Sequence, residues 1–407
     1  VTTDRHHPFA ALEAGEEVAD RTFFYNSFAN VTVFATDDGL VLVDAGTFAH
    51  RDIVFQAVRE WSAERVDTVI FTHGHVDHVF CVPPFAEEAK ERGWRPPRVV
   101  AHEAVPRRFD RYILTAGYNS IINQRQFSMP IQWPTDFTYP DITYNESTTV
   151  SVGGLTFELH HARGETDDHT WVWMPERKVL CTGDLIIWAV PNAGNPQKVP
   201  RYCMEWAEAL RKMAALNAEV LCPGHGVPVV GGERVRQMLT ETAEFMESLH
   251  EQTVRMMNEG ATLDKVIHGV RAPAHLEDRP FLQPVYDDPE YIVRNIWRLY
   301  GGWHDGNPAH LKPASEAQQA AEIARLAGGV ASLVKRARDL LEDGDLRLAC
   351  HVIEWAAATA PEDRAVHELR AEIYEQRTEE ERALMTKGIF RAAGRDSGAI
   401  LEGREEE

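Results

Sequence analysis

Residues 66–72 read Val66-Asp67-Thr68-Val69-Ile70-Phe71-Thr72 and run without a break into His73-Gly74-His75-Val76-Asp77-His78. The first half is an apolar, β-branched run of strand length. The second packs three imidazoles and a carboxylate into six residues at that strand's C-terminal end. His73 and His75, two apart, converge from an extended loop end, whereas Asp77 and His78 fall where a following helix would start and point toward a second position. Two adjacent cations are implied. Imidazole and carboxylate donors without thiolate suit Zn(2+) first, with Mn or Fe as the alternatives. The competing reading is a histidine-rich surface run, which would need neither the turn at Gly74 nor the carboxylate of Asp77.

Working outward, Val31 to Thr36 and Leu40 to Asp44 form a hairpin around Asp37-Asp38-Gly39, and Ile53, Val54, Ala57, Val58 and Trp61 recur at helical spacing in 51–64. With the strand at 66–72 this makes a β-α-β alternation. It continues with a strand at 98–101, one alternating segment at 149–161, paired strands at 170–173 and 179–181, a helix at 204–216 and a strand at 219–222. The pattern predicts a layered α/β domain. Between Phe109 and Glu146 the alternation stops, and this stretch reads as a long pocket wall or lid. From Glu233 onward only helices are expected, over 235–259, 289–300, 317–326, 330–342, 346–358, 363–376 and 378–391. The domain division so predicted is a catalytic domain over 1–232, an all-α domain over 233–395 and a flexible acidic tail over 396–407.

Composition narrows the classes. A chain of 407 residues is long enough for two or three cores, and 44% hydrophobic with 26% charged residues excludes wholesale disorder. Its 42 Lys plus Arg against 63 Asp plus Glu leave a net charge of −21, which disfavours nucleic acid and anionic membrane surfaces as partners. No window is apolar enough to span a membrane and the start carries no signal-peptide pattern, so a cytoplasmic location is expected. The five cysteines lie far apart and form no CxxC pair, which reads as reduced, buried thiols.

Three further pieces each follow an apolar strand: Gly164-Glu165-Thr166, Thr182-Gly183-Asp184-Leu185 and Pro223-Gly224-His225-Gly226. Together with THGHVDH, in this order and on this α/β pattern, they resemble the metallo-β-lactamase superfamily of dinuclear metallohydrolases. The resemblance implies an αββα sandwich in which His73, His75 and Glu165 hold one metal, Asp77, His78 and His225 the other, and Asp184 bridges them. Histidine is the commoner superfamily residue at the Glu165 position, and His161 and His169 compete with Glu165 for it. A Glu there, together with the run Tyr300-Gly301-Gly302-Trp303, resembles the alkylsulfatase branch and its helical dimerisation domain over roughly 25–375. A homodimer is implied. Phe245, Met246, Leu249, Val254, Met257, Ile292, Ile296, Trp297 and Leu299 are more apolar residues than one solvated helix face carries; the α/β domain is expected to cover part of them and an exchange of helices between chains the rest.

Three departures qualify the likeness. The bridging residue of those sulfatases is typically Glu, here Asp184; their second histidine after the ligand, a proposed general acid, is here Gly226; and too little chain follows for their sterol-carrier-like third domain. What the resemblance implies is therefore a dinuclear-zinc hydrolase using a metal-bridging hydroxide on a small ester with an apolar portion, a sulfate ester first. Carboxylic ester, lactone or phosphodiester hydrolysis, an interaction protein with a vestigial metal site, and iron redox chemistry are the rivals. Asp77 and Asp184 would orient the hydroxide, and His304 or Tyr118 would protonate the leaving group. Asn192 and Lys198 would bind an anionic substrate oxygen, a solvated loop being their competing reading, and Trp188 and Trp303 would wall an apolar pocket.

Overall fold

Strand alternation builds four layers. In the computed structural model, which describes residues 7–128 and 132–403, the first sheet runs in the order β1 (Ala14–Ala19), β2 (Thr22–Asn26), β3 (Val31–Thr36), β4 (Gly39–Val43), β5 (Val66–Ile70), β6 (Arg98–His102) and β7 (Ile142–Tyr144). The second holds β8 (Ser147–Val152), β9 (Leu155–His161), β10 (Thr170–Met174), β11 (Val179–Gly183), β12 (Val220–Pro223) and β13 (Val229–Val230), in the order β13-β12-β11-β10-β9-β8. Because successive side chains point to opposite faces, Phe34, Val41, Val43 and Ile70 meet Phe157, Val172, Val179 and Val220 in one core between the sheets. Leu40, Leu42 and Val69 turn the other way, onto α1 (Arg51–Trp61), α2 (Val82–Glu91) and α3 (Val105–Leu114), through Val54, Phe85 and Phe109. Trp171, Trp173, Leu180 and Leu221 likewise leave the second sheet on its far side. The αββα order that the resemblance implies is the order observed.

Strands β4 to β7 run parallel, as do β11 and β12. Parallel strands bring their C-terminal ends to one edge, so the loops after β5, β11 and β12 open side by side. Cys181 and Cys222 are register partners on the neighbouring strands β11 and β12, their side chains in the core between the sheets; all five cysteines are free, with only Cys350 half-exposed.

Several sequence expectations are corrected. The segment 149–161 is not one strand but the hairpin of β8 and β9, turning at Gly153-Gly154. The stretch 109–146 is not a long irregular loop: it holds the end of α3, then α4 (Ala116–Phe127) and β7, while 129–131 lie outside the described residues. Strands β1 and β2 precede the first hairpin recognised from the sequence.

Helix α5 (Cys203–Ala214) lies under α6 (Gly232–Asn258), followed by α7 (Leu263–Gly269) and α8 (Pro289–Gly301). Phe245, Met246, Leu249, Ile292 and Ile296 are buried here against Trp206, Leu210 and Met213 of the same chain, and Trp297 packs on the same core. The part of the cover expected from the α/β domain is thus supplied for these residues by α5. One compact unit comprises Val1–Asn119 and Gln132–Trp303, so that α6, α7 and α8 pack with the sheets.

The other comprises Ser120–Ile131 and His304–Glu407. It contains α9 (Glu316–Ala327), α10 (Val330–Glu342), α11 (Leu346–Thr359), α12 (Arg364–Glu380) and α13 (Leu384–Leu401). Neighbouring helices share a core of Leu333, Leu340, Ile353, Leu369 and Ile373. Residues 396–401 continue α13 and are not a tail; 404–407 lie outside the described residues. Among the described residues no helix is long and apolar enough to cross a membrane.

Candidate metal centre

The loop that leaves β5 carries His73, His75, Asp77 and His78; Glu165 lies between β9 and β10, Asp184 directly follows β11 and His225 follows β12. The structure brings all seven together. His73, His75, Glu165 and Asp184 offer ligand atoms that lie within 4.8 Å of one another, and so do Asp77, His78 and His225. Within the first group, His73 Nε2 lies 2.9 Å from His75 Nδ1 and 3.7 Å from Glu165 Oε2 and from Asp184 Oδ2. Within the second, Asp77 Oδ2 lies 3.8 Å from His78 Nε2 and 3.6 Å from His225 Nε2. Asp184 faces both groups: Oδ2 turns to His73, and Oδ1 stands 3.2 Å from His78 Nε2 and 3.3 Å from His225 Nε2. Donors on a tetrahedral zinc at its usual bond length are about 3.3 Å apart, so the spacing suits such an ion.

The proton bookkeeping agrees. Thr72 Oγ1 gives its proton to Asp44 Oδ2 at 2.8 Å and so accepts from His73 Nδ1 at 3.0 Å. Asp44 Oδ2 also accepts from His78 Nδ1 at 2.9 Å, and the Phe28 carbonyl accepts from His225 Nδ1. Each of the three imidazoles thereby turns the lone pair of Nε2 inward, the tautomer a metal ligand requires. His78 Nε2, Glu165 Oε2 and Asp184 Oδ1 are buried without a hydrogen-bond partner, a costly arrangement for polar atoms unless an ion completes it. Three carboxylates and four neutral imidazoles carry three negative charges, which two divalent cations match to within one unit.

Charge is graded across the cluster. Burial, reinforced by neighbouring imidazoles, holds His73 well below the ordinary histidine range, and burial with the Arg108 and Arg201 charges does the same to His75. Burial would lower His78 and His225 as well, but Asp184 and Asp77 overcome it and raise both, His225 to about 9. Burial pushes the Glu165 carboxyl up to about 8 against the pull of Arg201.

Several side chains around the cluster were not legible in the sequence. Arg201 Nη1 donates to Glu165 Oε1, as does Asn192 Nδ2, which leaves Oε2 to face His73 and His75. Asn192, expected at the substrate, thus holds the carboxylate of a candidate ligand. Asp168 Oδ2 accepts from Gly74 N at 3.1 Å and from Arg108 Nε at 2.6 Å, pinning the turn between His73 and His75. Asn26 and Asn30, near the β2–β3 turn, hold the Gly226 carbonyl at 2.8 Å each, and Asn30 also reaches Pro223 O at 2.9 Å. Gly224 has no alternative, since a Cβ there would fall 2.0 Å from Asp184 Oδ1. These are contacts between residues far apart in the chain, with no local signature.

The remaining sequence candidates divide. His169 stacks on His73 at 4.6 Å with Nε2 turned to Thr182 O, and His161 stacks on His102 at 3.8 Å; the position between His73 and His75 is taken by Glu165. Lys198 is half-buried near Arg201, Glu165, Asp77 and Arg111, and burial lowers its amine to about 8. Trp188 is half-buried beside the His225 loop, its Nε1 donating to Val227 O at 2.6 Å. Tyr118 and Trp303 are 57% and 68% exposed, which places neither in the buried cluster. His304 falls in the second compact unit, where it is exposed.

With this geometry in hand, known proteins can be compared. The metallo-beta-lactamase superfamily model matches residues 25–225, and the alkyl sulfatase dimerisation model matches 262–397. A linear primary-alkylsulfatase from Pseudomonas sp. (strain ATCC 19151) is 26% identical over 359 residues, covering 82% of this chain and 67% of that protein. An (R)-specific secondary-alkylsulfatase from Pseudomonas sp. is 25% identical over 384 residues, 86% of this chain and 57% of its own length. The solved structure of a stereoselective inverting sec-alkylsulfatase from Pseudomonas sp. superposes with a TM-score of 0.84 at 22% identity, over 95% of this chain and 66% of that one. The chain thus spans about two thirds or less of the length of these relatives.

Proposed function

The chain belongs to the metallo-beta-lactamase superfamily, and from that premise we propose that it is a dinuclear-zinc hydrolase of alkyl sulfate esters that works as a homodimer. The observation that carries this reading is the pair of ligand groups sharing Asp184. His73, His75 and Glu165 would hold one ion, Asp77, His78 and His225 the other. Two zinc ions there would supply an activated water and polarise an ester oxygen.

The chain's own residues do the rest. Asp44 and Thr72 keep the ligand imidazoles in the lone-pair-inward tautomer. Arg201 and Asn192 hold Glu165 by one oxygen so that the other stays in place. Asp77, only partly buried, is the carboxylate available to accept a hydrogen bond from an attacking water. Three cations, Arg108, Lys198 and Arg201, bear on the cluster in a chain that is otherwise strongly acidic. Arg108 and Arg201 are engaged by Asp168 and Glu165; the Lys198 amine is the charge positioned to meet a sulfate oxygen. Such a field favours an anionic sulfate over a neutral lactone or carboxylic ester. The likeness to the named alkylsulfatases and the match to the dimerisation model support the substrate and the dimer.

Metal analysis together with a panel of alkyl sulfates, carboxylic esters, lactones and phosphodiesters tests the reading. Two zinc per chain with sulfate release from the alkyl sulfates is expected. Iron in place of zinc, no bound metal, or turnover confined to the other esters would overturn it. Light scattering tests the assembly, with twice the chain mass expected and a fully active monomer refuting it.

A further inference from the structure

One departure noted in the sequence, Gly226 where a second histidine was expected after His225, has a structural partner. Gly226 has φ +83, and a Cβ on it would lie 2.5 Å from Pro8 O, 3.2 Å from Phe9 Cα and 2.8 Å from Trp188 Cδ1. An imidazole cannot stand there because an N-terminal strap already does. The strap is tied down on both sides: Pro8 O accepts from Val227 N at 3.0 Å, and His7 Nε2 lies 2.9 Å from Pro280 O. Its own turn is closed by Phe9 N donating to His7 Nδ1 at 3.3 Å and Ala10 N to His7 O at 2.9 Å.

The strap delivers one aromatic ring to the metal centre. Phe9 sits 5.9 Å from the His225 ring and 5.6 Å from Tyr286, while Phe28 meets the same His225 edge-on at 5.6 Å. Burial, and then the Glu165, Asp77 and Asp184 carboxylates, push the Tyr286 phenol up. Phe9 is half-buried, so part of the ring remains open at a place where water contact with an apolar group can be displaced.

We propose that Pro8 and Phe9 form the apolar wall that selects the alkyl portion of the substrate, and that Gly226 is the residue that admits this wall. The proposal rests on the ester-hydrolase reading above and deepens it. The site has exchanged an imidazole following the ligand histidine for a hydrophobic surface contributed from the far end of the chain. Selection by such a wall grows with the number of methylenes it covers.

The test uses the metal-loaded full chain and Phe9→Ala, with Phe9→Leu as a variant that keeps apolar bulk, and Gly226→Ala. The readout is the ratio of kcat/KM for octyl over butyl sulfate, together with calorimetric binding of the corresponding alkyl sulfonates, which cannot release sulfate. Phe9→Ala should lower the octyl-to-butyl ratio by roughly tenfold in both measurements, with metal content at the wild-type level, and Phe9→Leu should restore most of it. Gly226→Ala should displace the strap, reproduce the lowered ratio and shift Trp188 fluorescence; combining it with Phe9→Ala should add little. An octyl-to-butyl ratio unchanged by Phe9→Ala overturns the proposal while leaving the sulfatase reading intact. Should the wild type cleave carboxylic esters and no sulfate, the sulfate reading falls and the wall is judged by the same ratio on octyl and butyl esters. A protein that neither binds nor cleaves any of these overturns both.

Discussion

Asp44, at the end of β4, holds His78 across 34 residues of sequence: its Oδ2 accepts from His78 Nδ1 at 2.9 Å while Oδ1 takes the Thr72 amide at 2.7 Å. One buried carboxylate therefore fixes the ring orientation of a candidate ligand and the end of the strand that delivers His73. Outer partners of this kind tune affinity without touching the metal.

Asp44→Asn exchanges one acceptor oxygen for an amide that cannot receive the His78 proton. Zinc affinity in competition with a chromophoric chelator should fall by about 10- to 100-fold. Full retention of affinity would show that the ring is held by other means.

Removing the shared carboxylate is harsher. Asp184→Ala leaves His78, His225 and His73 without the group that lies between them. Metal analysis should find fewer than two ions per chain, and turnover should fall by at least about a thousandfold, the scale expected when the group on which both ions depend is lost. Wild-type activity with two ions bound would remove Asp184 from the bridging position.

Arg108 and Asp168 form a buried ion pair at 2.6 Å beneath the His73–His75 turn. Arg108→Met strands the Asp168 charge, and removal of one partner of such a pair costs about 3–5 kcal/mol. Urea unfolding should show that loss. A variant as stable as the parent would mean that Asp168 finds another cation.

The amine of Lys198 is lowered to about 8, chiefly by burial. It is charged below that pH and neutral above it, so an anion bound to it is lost as pH rises through about 8. KM for an alkyl sulfate should climb over that interval in the parent. Lys198→Met should raise KM by roughly tenfold at pH 7 and abolish the further climb. A pH profile identical in the two proteins would place Lys198 outside the substrate site.

The sequence by itself determined the metal-binding vocabulary. His73, His75, Asp77 and His78 stand within six residues, and the resemblance to the superfamily singled out Glu165, Asp184 and His225, each after an apolar strand. The histidine cluster and the strand pattern are local signals, because strand periodicity and the spacing within 73–78 are properties of neighbouring residues. The layered α/β pattern was legible for the same reason, while the αββα order came with the resemblance; Leu40, Val41, Leu42 and Val43, uniformly apolar in sequence, alternate between two cores. Only the tertiary structure decided what surrounds the ligands. Asp44 reaches His78, Asp168 reaches Arg108 and Arg201 reaches Glu165 over separations of 34, 60 and 36 residues. In the sequence each of these charges is indistinguishable from a solvated one, since a side chain's burial and partner depend on which strands and loops the fold brings side by side. The same holds for the apolar faces of α6 and α8, whose pattern demanded a cover without dividing it between the α/β domain and a second chain: for Phe245, Met246, Leu249, Ile292 and Ile296, α5 of the same chain provides it. Gly226 is the smallest case, a residue whose meaning lies 218 positions away in Pro8, because whether a Cβ fits is a question about space and not about neighbours in the chain.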